Sequence, residues 1–450
     1  MAKTKLTPIS GFPEFLPEEQ IIFAKVLDIV RNNYERYGFS PIETPAVERK
    51  EILASKGGNE KEIYAISRFA AEEGEDPNTD FALHFDLTIP LARYVALYKD
   101  KLSFPFRRSQ IQKVWRGERA QKGRYREFYQ CDIDVIGKGS LSPLTDAEIP
   151  SIIYRIFDEM KIGHFVIKIN NRKILQGYFQ ELAIPADQTG DILRIIDKLE
   201  KMGAEKVVRE LVKTGVDETK SQKLLSFLGE LLNTEDMLTK LNSMIQINEQ
   251  FSQGVKELAT VVEGVRSLGV PEAFFKIDLS IARGLDYYTG TVYETVLVEH
   301  PKIGSICSGG RYDDLASFFT NEKLPGVGIS IGITRLVPQL IQAGILKVGA
   351  ATVALVLVTA MDENRINDYL RIGSELRDAG IPTEVYLEKA RLGNQLKYAN
   401  KKGFKIAIIA GEDEFSQNTV QIKNLMTGKA TLCSITEMVQ QVKCQFEDLI

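Results

Sequence analysis

From Tyr129 to Val135 the chain alternates residue by residue, with Tyr129, Cys131, Ile133 and Val135 on one side and Gln130, Asp132 and Asp134, joined by Phe128, on the other. That period of two predicts a strand with one apolar and one polar face. It is the returning arm of KVWRGERAQKGRYREFYQCDIDVI (Lys113–Ile136), two strands joined by a long polar loop. Elsewhere Phe23, Leu27, Val30, Tyr34 and Tyr37 recur at helical spacing until Gly38 ends the run. Tyr37–Glu48 reads as extended and stops at Pro45, a sheet-edge signal because proline cannot donate to a ladder. Phe81, Leu83 and Phe85 alternate as a strand with Asp86 at its carboxyl end. A helix then runs from Ile89 through Tyr98, with Thr88 as its N-cap and Pro90 in the first turn.

Further on, Ile149–Met160 predicts a helix and Phe165–Asn170 a strand, after which only helical patterns appear from Tyr178 to Phe275. Strand patterns return at Lys276. The turn RGLDYYTG (Arg283–Gly290) leads into Val292, Glu294, Val296 and Val298, then CSGGRYDDL, then a glycine-punctuated strand entering a helix with Arg335 in its first turn. Past a linker at 344–351, strands at Val353–Val358, Thr383–Tyr386 and Lys405–Ile409 alternate with helices at Glu363–Ala379 and Leu392–Lys402. A strand pair and a last helix ending near Phe446 complete a mostly parallel sheet with helices on both faces. The expected organisation is a first body of residues 1–177 and 276–343, a helical insertion at 178–275, and a second α/β domain at 352–450.

At 450 residues the chain is too long for one ordinary core, so two or three domains are expected. An apolar fraction of 44% and a charged fraction of 26% are those of a soluble globular protein. No apolar run is long enough to span a membrane and no basic-then-apolar leader opens the chain, so the reading is cytoplasmic with no membrane partner. Cys131, Cys307, Cys433 and Cys444 lie far apart without a CxxC pair, and the three histidines are His84, His164 and His300; no disulfide framework or metal site is expected. A net charge of −4 argues against indiscriminate coating of nucleic acid and leaves room for a local basic patch. The second α/β domain has no GxGxxG or Walker loop and is read as a binding module.

The hairpin supplies the candidate chemistry. Its loop region, Lys113 to Arg126, holds six Lys or Arg and one acid, Glu118. An aromatic ring, an amide, two carboxylates and an arginine cluster suit a substrate with phosphates and an amine. A solvated hairpin with a charged tip accounts for the same residues, and so stays open on this stretch alone.

Taken together, GFPEFLP, RGERAQKGRYREFYQCDID, RGLDYYTG, SGGRYDDL and GVGISIGITRL resemble the histidyl-tRNA synthetases, a family of class II aminoacyl-tRNA synthetases, in the right order and over essentially the whole chain. The resemblance implies an α+β catalytic domain, an antiparallel sheet flanked by helices, with a helical insertion and a C-terminal α/β anticodon-binding domain. It implies a homodimer built through the first helix and the segment ending at Pro45. It implies L-histidine, ATP with Mg2+, and tRNA(His) as substrates and partners. Arg116 and Arg283 are then the catalytic pair at the α-phosphate, and both approach histidine. Asp86, Leu87, Thr88 and Gln130 fall where the ammonium is taken, and Asp134, Tyr287 and Tyr288 where the ring is taken. Glu118, Arg124, Phe128 and Arg335, with Arg116, match the ATP positions. Arg119 and Gln121 match contacts to the tRNA. Three positions depart from the family pattern: Asp86 and Asp134 are shorter than the Glu of some branches, and Thr334 stands where Glu is usual.

Rival readings are a regulatory paralogue that binds histidine without charging tRNA, a class II synthetase for another amino acid, and an RNA-binding module on an inactive catalytic domain. The first usually lacks the C-terminal module and the arginine of RGLDYY, both retained here. Retention of Arg116, Glu118, Arg283 and Arg335 together argues against the last.

Overall fold

The computed structural model describes residues 6–55, 60–67, 80–119, 123–229, 232–281, 288–314 and 316–447. Contacts along the chain divide it into two compact units, residues 1–13 with 26–346, and 14–25 with 347–450.

The first unit is built on a sheet whose strands, among the described residues, are β1 (Ser40–Pro41), β4 (Phe106–Trp115), β5 (Glu127–Ile136), β6 (Phe165–Asn171), β7 (Phe275–Ile277), β8 (Thr291–Leu297), β9 (Ser305–Tyr312) and β10 (Gly326–Ile331). A separate small pair is formed by β2 (Val47–Arg49) and β3 (Phe81–Leu83). The order is β1-β4-β5-β10-β9-β8-β6-β7. All the pairings from β4 to β6 are antiparallel, and the two short edge strands join in parallel. Pro41 lies in the edge strand β1, where a missing donor costs no ladder bond.

The hairpin of β4 and β5 is longer than the sequence indicated, since β4 starts at Phe106, and it sits inside the sheet with β10 on its other side. Burial from Gln130 through Ile136 is continuous, so a solvated hairpin is excluded. One face of the sheet is apolar and packs helices. Tyr34, near the end of helix Pro17–Arg36, donates its hydroxyl to the Cys131 carbonyl at 2.8 Å. Helix Leu144–Glu159 seats Asp146 against Arg311 on that face. The other face carries a polar row across six strands: Lys168, Glu294, Ser308, Ser330, Asp132 and Gln110 stand opposite one another in register. The site is built on this face.

Several local expectations are corrected. Val26, not Leu27, is the buried residue in the first helix. Strand β3 ends at Leu83, and its inward residue is Ala82, while Phe81 is 49% exposed. The frame is reversed because β3 lies between β2 and a bridge to Ala65, outside the large sheet, and turns Ala82 into a small cluster with Leu53, Phe85 and Ile89. Thr88 is not a cap. Helix Thr88–Tyr98 has Leu87 at the N-cap, and the Asp86 carboxylate accepts from the Ile89 amide at 3.2 Å. Helices also begin earlier than read, at Leu144 and at Arg172. The long helix Glu249–Ser267 comes close to its neighbours through small residues: a Cβ on Gly254 would lie 2.8 Å from the Ile174 amide, and one on Gly264 would lie 2.5 Å from Ala147 Cβ.

In the second unit the order is β12-β11-β13-β14-β15, with β11 (Val356–Val358), β12 (Thr383–Val385) and β13 (Ile406–Ile409) parallel and β14 (Thr419–Asn424) and β15 (Ala430–Ser434) antiparallel. Helices Ile366–Asp378 and Ile435–Glu447 cover one face through Tyr369, Ile372, Leu376, Met438 and Val442. Helix Leu392–Lys402 covers the other through Ala399 against Leu357 and Phe404. A short helix, Glu412–Ser416, was not foreseen.

Candidate active site

The polar face of β5 presents Gln130, Asp132 and Asp134, all buried, to a cavity of about 420 Å³. Strand register fixes what surrounds them. Asp134 faces Arg108 on β4 and Gly328 on β10, and Asp132 faces Gln110 and Ser330. Gly328 cannot be otherwise: a Cβ there would lie 2.2 Å from Asp134 Oδ1. Gly310 on β9 is bare for the same reason, since a Cβ would press on the Tyr288 ring at 2.9 Å.

Asp134 is held from two sides. Tyr312 donates its hydroxyl to Oδ1 at 2.7 Å, and Arg108 Nη2 lies 2.6 Å from Oδ2. Burial raises the Asp134 carboxyl, opposed by Arg108 and the Tyr312 bond. Burial pushes the neighbouring Asp132 up further, to about 7, again opposed by Arg108 and by a hydrogen bond from Ser330. Burial and the nearby carboxylates also raise the Tyr288 hydroxyl, so it stays a donor. Asp86 and Thr88 reach the same cavity from the start of helix Thr88–Tyr98.

A larger cavity of about 1140 Å³ adjoins on the same face. It is lined by Arg124, Phe128, Arg335, Lys168 and Glu294, and by the turn at 301–308. Arg116, Glu118 and Gln130 line both cavities. Arg116 donates Nε to the Phe85 carbonyl at 3.0 Å, and its guanidinium lies 5.1 Å from the centre of the Phe128 ring, a cation–π contact. Glu118 is ion-paired with Arg124 in a two-pronged contact. Glu62 also lines the smaller cavity; its carboxyl is raised by burial and by Glu118, with Arg116 and Arg124 opposing. Arg335 donates Nη2 to the Ile303 carbonyl at 2.7 Å. Thr334, at the start of its helix, is buried and accepts from the Tyr129 amide at 2.8 Å, tying that helix to β5.

Of the residues expected from sequence, Asp86, Thr88, Arg116, Gln130, Asp134 and Tyr288 meet at the smaller cavity, and Arg116, Glu118, Arg124, Phe128 and Arg335 at the larger. Leu87 is buried and lines neither. Arg119 is exposed in the hairpin loop and also lines neither. Gln121, Arg283 and Tyr287 lie outside the described residues. Sequence reasoning passed over Arg108, Tyr312 and Glu62, and it placed Asp132 on the polar face as one of two carboxylates without giving it a substrate role. Arg108 could have been found by extending the hairpin register back along β4. Tyr312 needed only the strand reading of SGGRYDDL, while Glu62 has no strand or helix pattern around it.

The family profile described as Histidyl-tRNA synthetase matches residues 11–336, and the profile described as Anticodon binding domain matches residues 352–445. The chain is 48% identical to a histidine–tRNA ligase of Clostridium tetani over 97% of each chain. It is similar to the crystal structure of histidyl-tRNA synthetase from Nostoc sp. PCC 7120, with a TM-score of 0.91 and 45% identity, over 98% of this chain and 100% of the other. A structure from Bacillus halodurans C, described as an ATP phosphoribosyltransferase regulatory subunit/histidyl-tRNA synthetase, shares the fold at a TM-score of 0.72 and 19% identity, covering 88% of this chain and 97% of its own.

Proposed function

We propose, for a chain that belongs to the histidyl-tRNA synthetase family, that the two adjoining cavities divide the substrates: histidine occupies the smaller and ATP the larger. The chain is a histidine–tRNA ligase. Histidine and ATP give histidyl-adenylate and pyrophosphate, and the histidyl group then moves to the 3′ end of tRNA(His). The observation that carries the division is that Arg116 lines both cavities, where the histidine carboxylate and the α-phosphate have to meet.

In the first step a carboxylate attacks the α-phosphorus in line, and negative charge gathers between two anions. An arginine stays protonated and offers a planar fork of donors to that charge. Arg116 takes this role, with Arg283 as its counterpart from the RGLDYY segment. Glu118, Arg124 and Arg335 hold the base and the outer phosphates, with Phe128 against the adenine; Arg116 must move off that ring as the nucleotide enters. Mg2+, an ion that keeps most of its waters and needs only one or two protein carboxylates, would neutralise charge on the ATP phosphates when bound. Glu118 and Glu294 are the acids lining that cavity.

In the smaller cavity Asp86, Thr88 and Gln130 accept from the ammonium, Leu87 contributes main chain alone, and Asp134 takes the imidazole with Tyr287 and Tyr288. An apolar analogue would be desolvated in this cavity without returning a donor to the Asp134 carboxylate, which is how a site of this kind ranks histidine above it without a separate editing step. Arg119 and Gln121 meet tRNA, and residues 352–450 read the anticodon. The helical insertion at 178–275 holds the acceptor arm, and 344–351 is the linker. The working form is a cytoplasmic homodimer joined through the first helix and the β1 edge. Among the described residues no helix is long and apolar enough to cross a membrane.

Pyrophosphate exchange with histidine set against each other amino acid tests the reading. Exchange is expected with histidine alone; binding without exchange favours the regulatory alternative. Arg283→Ala is expected to slow adenylate formation by about 10²- to 10³-fold, the loss typical of one oxyanion donor, with histidine affinity nearly intact. Near-normal exchange in that variant removes Arg283 from the mechanism.

A further inference from the structure

The residues assigned to histidine leave one buried acid in the same cavity without a task. Asp132 stands between Gln130 and Asp134 on one face of β5, 3% exposed, and lines the smaller cavity. Its Oδ2 lies 4.0 Å from Arg108 Nη2 and Ser330 hydrogen-bonds the carboxylate, but Oδ1 has no hydrogen-bond partner. Gln130 is in the same condition: Nε2 donates to Ser330 Oγ at 2.9 Å and Oε1 has no partner. Two neighbouring acceptors, both buried and both lining one cavity, are costly unless a donor arrives.

Arg108 does not supply that donor. It is fully buried, and although Nη2 comes within 2.6 Å of Asp134, none of its N–H groups is aimed well enough at an acceptor to make a hydrogen bond. It acts on both carboxylates as a charge.

We propose that Asp132 is a further histidine-binding residue whose inward oxygen, beside that of Gln130, accepts from the cationic end of the bound amino acid, with Arg108 as the positioning residue that sets its charge. This rests on the reading of the smaller cavity as the histidine site. The charged and titratable groups around Asp132 are Arg108 on β4, Asp134 on β5, Asp86 before helix Thr88–Tyr98 and Tyr288 before β8, with Glu62, Arg116, Glu118 and Tyr312 lining the same cavity. Burial, with Asp134 and Asp86, holds Asp132 protonated in the empty site up to about 7. A cation entering favours the carboxylate, so the proton leaves to solvent as histidine binds.

The full-length protein and Asp132→Asn are titrated with L-histidine by calorimetry at about pH 6 and about pH 8. Asparagine mimics the protonated acid, so the ratio of the two Kd values cancels the ionisation of histidine itself. With the carboxyl near 7, the variant is expected to bind about tenfold more weakly at the higher pH and within about twofold at the lower. A ratio that does not change with pH, or that is unity at the higher pH, overturns the inference. Wild-type protein that binds no histidine at either pH overturns the cavity assignment and this inference with it. Should the asparagine variant fail to fold, Ser330→Ala takes its place. Loss of its hydrogen bond raises the Asp132 carboxyl further, so binding should weaken by a few-fold at about pH 7 and recover by about pH 8.5; an unchanged profile overturns the inference.

Discussion

Two buried arginine–aspartate pairs lie on opposite faces of the same sheet. Arg311 and Asp146, on the face packed by helices, satisfy each other and their surroundings. Arg311 donates Nε and Nη2 to the carboxylate, Nη1 to the Leu141 carbonyl and Nη2 to the Ser142 carbonyl. Asp146 accepts in addition from the Thr291 hydroxyl at 2.6 Å. Arg108 and Asp134, on the cavity face, sit just as close yet leave the guanidinium without a well-aimed hydrogen bond and leave Asp132 and Gln130 with open acceptors. The difference teaches where the structure is complete and where it waits for a ligand. A charge pair in which each guanidinium nitrogen has an acceptor pins a helix to a strand. One whose acceptors are unmatched is tolerable in a fold only where substrate supplies what is missing.

The largest effect expected from this contrast is on stability at the completed pair. Asp146→Ala leaves Arg311 buried with its charge uncompensated, which typically costs about 3–5 kcal/mol. The denaturant midpoint should fall steeply, and the first unit should unfold before any change in histidine affinity can be read. A variant that melts like the parent would make the pair ornamental and erase the contrast.

Next comes Asp134→Asn, the mirror experiment on the cavity face. Its carboxylate is held by Tyr312 at one oxygen and Arg108 at the other; asparagine can keep its oxygen toward Arg108 and donate its amide nitrogen to the Tyr312 hydroxyl, so the fold should survive. What is lost is a charged acceptor for the imidazole, worth about 2 kcal/mol or roughly thirtyfold in Kd for histidine. Affinity for histidine, together with exchange rates for glutamine and phenylalanine, measures both the loss and the narrowing of selectivity. An unchanged histidine Kd would take the ring contact away from Asp134.

How far the sequence carried is plain from the same two pairs. The alternation along β5 gave Asp134 and its face directly, because a period of two needs no knowledge of the partners. The glycine-rich strand β10 was legible as a strand, but not that Gly328 is bare to make room for Asp134; that is a fact of register. Arg108 lies outside the stretch that drew attention, and only the pairing of β4 with β5 sets it opposite Asp134. Asp146 and Arg311 are 165 residues apart, so no local pattern could join them. At Asp86, proximity misled: Thr88 stands nearest the predicted helix start, yet it is the aspartate, the stronger cap by type, that meets the Ile89 amide. Long-range pairing and side-chain competition were therefore out of reach, while face and periodicity were not.

The smallest effect expected is also the most discriminating, because it depends on pH. Arg108→Met removes the charge beside Asp132 and Asp134 while keeping most of the side-chain volume. Both carboxyls are already raised, Asp132 to about 7, and without the guanidinium both rise further above their unfolded value of about 3.9. A carboxyl raised in the folded state contributes its full stability below the unfolded value and loses it as pH climbs through the folded one. At about pH 6 Asp132 stays protonated, so the variant should lie within about 1 kcal/mol of the parent, whereas at about pH 8 it must ionise without a charged partner and the gap should widen. Denaturant melts at the two pH values read this directly. A loss at the lower pH as large as that of Asp146→Ala would mean that Arg108 holds the fold as Arg311 does, and the two faces of the sheet would no longer differ in kind.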